Sequence, residues 1–224
     1  METKTIQVRK KTSTRKTIRK VLLLCGILSS LLYVAMNIFV PMQYEGYNSV
    51  TQTISELSAI GAPTRPLWVP LGIVYSLLIT LFGWGVWQSA LQNRPLRIAG
   101  ILLFAYGIIG QGWTFAPMHQ REVLAAGGET LTDTMHLLVL SSLSALFMMV
   151  SIGFAAAAFG KGFRLYSIAT ILILIVFGAL TGLDAPNVEA NLPTPWLGVI
   201  ERIMIGVFLL WVVVLAVMLL RRDK

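Results

Sequence analysis

Ile171-Leu172-Ile173-Leu174-Ile175-Val176 are six consecutive aliphatic residues inside a charge-free stretch from Leu165 to Leu183. A strand of an outer-membrane barrel alternates apolar and polar side chains, because its two faces meet different media. No alternation is present here. A bilayer core of about 30 Å takes about 20 apolar residues as a helix. Lipid offers the backbone no hydrogen-bonding partner, so an isolated spanning segment closes its bonds internally as a helix. The stretch therefore reads as a membrane helix. Outward from it, five more segments qualify: Val21 to Val40, Leu67 to Leu91 with Gln88 near its end, Ile98 to Ala116, Leu131 to Phe159, and Leu197 to Leu220. The expected fold is an all-α membrane protein. It is a six-transmembrane-helix bundle over residues 21–220, between a basic tail (1–20) and a short end (221–224).

The composition agrees. Hydrophobic residues make up 56% of the 224, and charged residues only 12%, against about 25% charged in soluble domains. The net charge of +8 does not indicate a nucleic-acid partner. A domain that grips phosphates spreads its Lys and Arg over a folded face, whereas here eight of the 18 lie in the first 20 residues. The expected partner is the lipid bilayer, with no nucleic acid.

Lys/Arg asymmetry gives an orientation. With the N-terminus cytoplasmic, the inner side holds the eight tail residues, Arg94, Arg97, Lys161, Arg164, Arg221, Arg222 and Lys224. The outer side holds Arg65, Arg121 and Arg202. Both termini are then cytoplasmic in a multi-pass protein of the cell membrane. The first apolar run is longer than the 7–15 residues typical of a signal peptide, so it reads as an uncleaved helix. The tail reads as a disordered topology signal, and more sharply as a patch drawn to anionic lipid head groups, at about 1 kcal/mol per basic residue near the surface. Cys25, the single cysteine, reads as a small packing residue.

The cytoplasmic connections are short and the outer ones long, so functional residues are sought on the outer face. In the first outer connection, Ser49 followed by Gln52 has the form of a capping box. Val50, Ile54, Leu57 and Gly61 recur at helical spacing, and Gly61 and Pro63 end the pattern. A short amphipathic helix is expected from Ser49 to Ile60 at the outer interface, capped by Ser49. Glu56 on it faces either water or the mouth of the bundle. In the second connection Trp113 lies at the depth of an aromatic belt, Pro117 ends the helix, and His119 reads as a solvated loop histidine.

The fourth helix opens with Asp133 and His136, three apart on one face. Ser144 and Ser151 extend a polar stripe, which for the serines reads as helix packing. Glu201 and Arg202 lie about 100° apart on the last helix and do not form one simple pair. Charges within a span mark functional sites with a partner to be named. The expected partners are His136 for Glu201, and Glu56 or Asp184 for Arg202. Glu56, Asp133, His136, Asp184, Glu201 and Arg202 thus form a candidate polar cluster at one depth.

Thr53-Ile54-Ser55-Glu56-Leu57 with Gly61 and Pro63, the Phe115-Ala116-Pro117 turn, His136, and Gly198-Val199-Ile200-Glu201-Arg202-Ile203 together resemble the DUF998 family, prokaryotic six-helix membrane proteins. The family pattern carries Phe-Pro and then an acidic residue after the third helix; here the turn reads Phe115-Ala116-Pro117-Met118-His119. The resemblance, from about Gly26 to Leu220, implies the fold and topology and names no activity.

Three functions fit this pattern. The first is an accessory or ligand-binding membrane protein. The second is a membrane-embedded hydrolase of a lipid or amphiphile, for which zinc is a possible cofactor, with His119, His136 and Asp133 as metal candidates. The sequence has no His-Glu-x-x-His pair. The third is a small-solute transporter, for which internal repeats and broken helices are the usual marks; no clear repeat is present.

Overall fold

The computed structural model describes residues 2–222, with side chains from Thr14 onward. Among these residues it contains helices and turns and no strand. Six helical segments are long and apolar enough to cross a membrane, which makes the chain a multi-pass membrane protein. They are α1 (Glu2–Phe39), α2 (Arg65–Ser89), α3 (Arg94–Gly110), the composite of α5 (Leu131–Thr134), a π-helical turn (Met135–Leu140) and α6 (Ser141–Ala158), then α7 (Lys161–Glu189) and α8 (Leu197–Arg222). One extra short helix, α4 (Arg121–Ala125), lies in the second long connection. The tail was expected to be disordered; α1 instead begins at Glu2.

Each membrane helix packs on its chain neighbour, and α8 closes the ring against α1. The two short connections, from α2 to α3 and from α6 to α7, favour such antiparallel neighbours. The core sits on the ring axis and includes Leu23, Phe82, Val86, Leu103, Ile152, Phe208, Trp211 and Val212, each with 0% exposure. Small residues allow close helix approach where apolar burial gives little drive. A Cβ on Gly83 would lie 2.2 Å from the Phe104 nitrogen, so α2 and α3 touch backbone to backbone. Cys25 is buried and free, and its thiol donates to the Val21 carbonyl.

The three long connections meet at one end of the ring. The Ile60 nitrogen donates to the Met118 carbonyl at 2.8 Å, tying the first to the second. Thr194 Oγ1 donates to the Thr51 carbonyl at 2.8 Å, tying the third to the first.

The expected helix from Ser49 to Ile60 is one 3₁₀ turn, Ser55–Ser58. Ser49 does not cap it. The Glu56 carboxylate accepts from the Thr53 nitrogen and hydroxyl at 2.6 and 2.9 Å, which closes a Thr53-x-x-Glu56 box. Gly61 ends the turn at φ +87°, where a Cβ is strained. Nor is the segment a surface helix, since Ile54, Glu56 and Leu57 are buried.

Candidate functional site

A buried segment without regular structure must find partners for its backbone elsewhere. Residues 47–58 find them in charged side chains from other elements. Glu201, on the first turns of α8, accepts from the Ile54 nitrogen at 2.6 Å. Arg202 donates through Nη1 to the carbonyls of Ser49, Gln52 and Gly198 at 2.9, 3.1 and 2.9 Å. Its Nη2 donates to the Tyr47 hydroxyl at 2.7 Å. That hydroxyl donates onward to the Thr53 carbonyl at 2.7 Å. Burial pushes the Tyr47 phenol well above its ordinary value, although neighbouring Arg202 works the other way, so the phenol keeps its proton. Gly198 makes this contact possible. A Cβ there would lie 2.4 Å from both the Ser49 and Gln52 carbonyl oxygens.

Glu56 turns into the protein and is 4% exposed. Its two oxygens take Arg121 Nε at 2.7 Å and Nη2 at 2.9 Å, and Gln52 Nε2 donates to the first at 3.0 Å. Arg121, at the start of α4, also donates to Thr194 Oγ1 at 2.8 Å. One guanidinium therefore joins all three long connections.

Asp133 and His136 share a helix but not a partner. Asp133 is fully buried. Its oxygens accept from the Thr130 nitrogen and hydroxyl, which caps α5, and from the His119 nitrogen at 2.6 Å. His119 Nδ1 lies 2.9 Å from Asp133 Oδ2. His119 is thus half-buried and paired, and not a solvated loop histidine. His136 reaches the other way. Its Nδ1 is 2.7 Å from the Ala116 carbonyl oxygen, and its Nε2 is 3.0 Å from Ser55 Oγ. Trp113 packs edge-on against the ring at 4.5 Å.

The expected charge pairing is therefore corrected. Arg202 meets neither Glu56 nor Asp184, and Glu201 hydrogen-bonds the Ile54 nitrogen where His136 was expected. Backbone groups of the first connection take the places assigned to charges. Asp184 stands apart, because α7 runs on to Glu189 and, among the described residues, Asp184 accepts only a local bond from Asn187 at 3.1 Å. Five of the six candidates converge on the joined connections. Arg121, Ser55, Tyr47 and Thr194 were not foreseen. Arg121 carried a signal, as one of only three basic residues on its side of the charge count.

The zinc reading finds no ligand set. Among the described residues no three His, Cys, Asp or Glu side chains gather as a metal site. His119 and Asp133 bond to each other, and both nitrogens of His136 are engaged.

Beside this network a cavity of about 210 Å³ lies between α1 and α8. Its polar wall is Asn37 and Arg202, and its apolar wall includes Val34, Ile38, Gly206 and Leu209. Asn37 Oδ1 and Arg202 Nε are both buried without a hydrogen-bond partner. Val34 and Ile38 are exposed on the outside of the ring. Ser144 and Ser151 are buried within α6, and Ser151 bonds the Met148 carbonyl of its own helix.

Comparison with curated proteins and with solved structures gave no match. The family model described as "Protein of unknown function (DUF998)" matches residues 27–218, which takes in four whole spans, most of the last, part of the first, and every residue of the network above. The chain belongs to the DUF998 family.

Proposed function

We propose that this protein is a ligand-binding membrane protein that holds a hydroxyl-bearing lipid of the outer leaflet in the groove between α1 and α8. One observation carries the reading: Asn37 and Arg202, each with one buried polar atom that has no hydrogen-bond partner (Oδ1 and Nε), both line this cavity. A buried polar group without a partner costs about 1–3 kcal/mol. The first of these atoms accepts and the second donates. A hydroxyl both donates and accepts, so a hydroxyl-bearing head group matches the chemistry of the pair; an ionised phosphate has no proton to give Asn37. The volume is below the roughly 300–1,000 Å³ of sites for drug-sized ligands, and it suits one chain segment under a small polar group.

The outer-leaflet assignment rests on the Lys/Arg asymmetry, which puts both termini in the cytoplasm and the joined long connections outside. The basic residues of the tail then face anionic head groups on the inner leaflet. The groups around Arg202 serve this site by fixing the guanidinium before a ligand arrives, which lowers the ordering cost of binding.

The test is native mass spectrometry of detergent-purified protein offered dioleoylglycerol or dioleoyl phosphatidic acid. Dioleoylglycerol is expected to be retained by the wild type and lost from Asn37→Leu. Equal retention by that variant, or preference for phosphatidic acid, overturns the reading.

A further inference from the structure

We propose that Ser55 and His136 are a nucleophile and its general base, acting on the ester bond of a membrane amphiphile. The proposal stands apart from the lipid groove, because it uses Ser55, the turn after α3 and the π-helical turn in place of α1 and α8.

The ring's two partners assign its protons. A carbonyl oxygen can only accept, so Nδ1, 2.7 Å from the Ala116 carbonyl, carries the hydrogen. Nε2 then holds a lone pair and accepts from the Ser55 hydroxyl at 3.0 Å. A nucleophile, a base and a third group that orients the base form the recurrent arrangement for activating serine. The ring sits in a π-helical turn, Met135–Leu140, a distortion frequent at functional sites. Trp113 holds its edge.

Ser55 is held with equal care. The residue before it, Ile54, gives its nitrogen to Glu201, and the residue after it, Glu56, is gripped by Arg121. The half-buried Glu201 carboxylate thus holds the backbone before Ser55, and the buried Glu56 side chain, paired with Arg121, anchors the residue after it. Such support is what a nucleophile needs to keep its attack geometry. Ser55 is half-buried, whereas His136 is 3% exposed and shielded.

The orienting group points to the substrate class. A carboxylate behind the histidine stabilises the imidazolium that forms as serine loses its proton. The Ala116 carbonyl does so less, because it carries no full charge. The pair therefore suits an ester, whose alkoxide leaves more readily than an amine. Phe115 and Met135, chain neighbours of Ala116 and His136, are exposed apolar residues on this side and suit a substrate that carries acyl chains.

The chemistry balances in two steps. Ser55 Oγ bonds to the ester carbonyl carbon as its proton passes to His136 Nε2. The tetrahedral adduct then expels the alkoxide, which takes that proton and leaves an acyl-Ser55. Water repeats the sequence, giving its proton to Nε2 and releasing the acid and the serine.

The experiment treats the full-length protein in nanodiscs with an alkyl fluorophosphonate, which forms a serine Oγ–phosphorus bond as fluoride leaves. Peptide mass spectrometry locates the label. The expected result is modification of Ser55 in the wild type, at least about 100-fold slower in His136→Gln, in line with the removal of a general base, and unchanged in Ser58→Ala. Absence of label from wild-type protein with an intact thermal transition overturns the proposal. So does a label on another serine, or a rate indifferent to His136→Gln. Failure here leaves lipid retention in the groove untouched, and the two readings are separately tested.

Discussion

Arg121 grips both carboxylate oxygens of Glu56, at 2.7 Å through Nε and 2.9 Å through Nη2, with both residues buried. The two are 65 positions apart and come from different long connections. The same guanidinium reaches Thr194 in the third connection. This pair and its bond to Thr194 tie the three connections to one another.

Breaking the pair from one side should be costly. Arg121→Met leaves Glu56 buried and uncompensated, and a destabilisation of about 3–5 kcal/mol is expected. Changing Glu56→Gln as well removes the stranded charge and should restore a good part of that loss. Denaturation in mixed micelles, run as a double-mutant cycle, reads both numbers. An additive pair of effects would show that the two residues do not act together.

Gly198→Ala should loosen the first connection without touching a charge. The new Cβ would lie 2.4 Å from two carbonyl oxygens, so the connection has to move away from α8. Overpacking of this kind costs about 1–3 kcal/mol. Hydrogen–deuterium exchange over residues 49–58 should rise in the variant; exchange equal to the wild type would count against the close contact.

Alkaline stability should depend on Tyr47. Burial raises its folded-state pKa above the ordinary value of about 10. Tyr44 is shifted the same way, by burial first and by nearby Glu122 and Glu56 after it. Above pH 10 the unfolded phenols release protons that the folded ones keep. Stability from them is therefore complete below about pH 10 and is lost as pH rises through the folded values. Tyr47→Phe should flatten this decline, and thermal transitions recorded from pH 8 to 11.5 would reveal it. A decline of equal slope in the variant would exclude Tyr47 as its source.

The orientation can be read by labelling with a membrane-impermeant maleimide in a Cys25→Ser background. A cysteine at Gly128 should react from outside intact cells, and one at Thr12 should not. The reverse pattern would place the joined connections in the cytoplasm.

The membrane helices were legible because lipid imposes a simple rule on sequence, and runs such as Ile171 to Val176 obey it. The end of the first connection was legible for a similar reason, since the turn at Gly61 needs a residue that tolerates positive φ. The segment before it was not. Val50, Ile54 and Leu57 have helical spacing, yet Arg202 takes the carbonyls of Ser49 and Gln52. Glu56 and Glu201 take the nitrogens of Thr53 and Ile54. Bonds that a helix would make along the chain are made across it, by residues up to 153 positions away, and no local pattern encodes that. The same fact misled the pairing of charges. Glu201 and Arg202 were expected to seek opposite charges, whereas they complete the backbone of another segment. His136 and Ser55 share no local signal either, being joined only once the π-helical turn is set against the first connection.

The lipid groove is tested most directly by photocrosslinking. Full-length protein in nanodiscs is irradiated with a diacylglycerol carrying a diazirine on one acyl chain, and the adducts are mapped by mass spectrometry. The expected result is adducts concentrated on residues 34–38 of α1 and 205–209 of α8, falling several-fold in Asn37→Leu. Adducts spread evenly over the outer faces of all six helices, or a pattern unchanged by Asn37→Leu, would contradict a lipid site between α1 and α8.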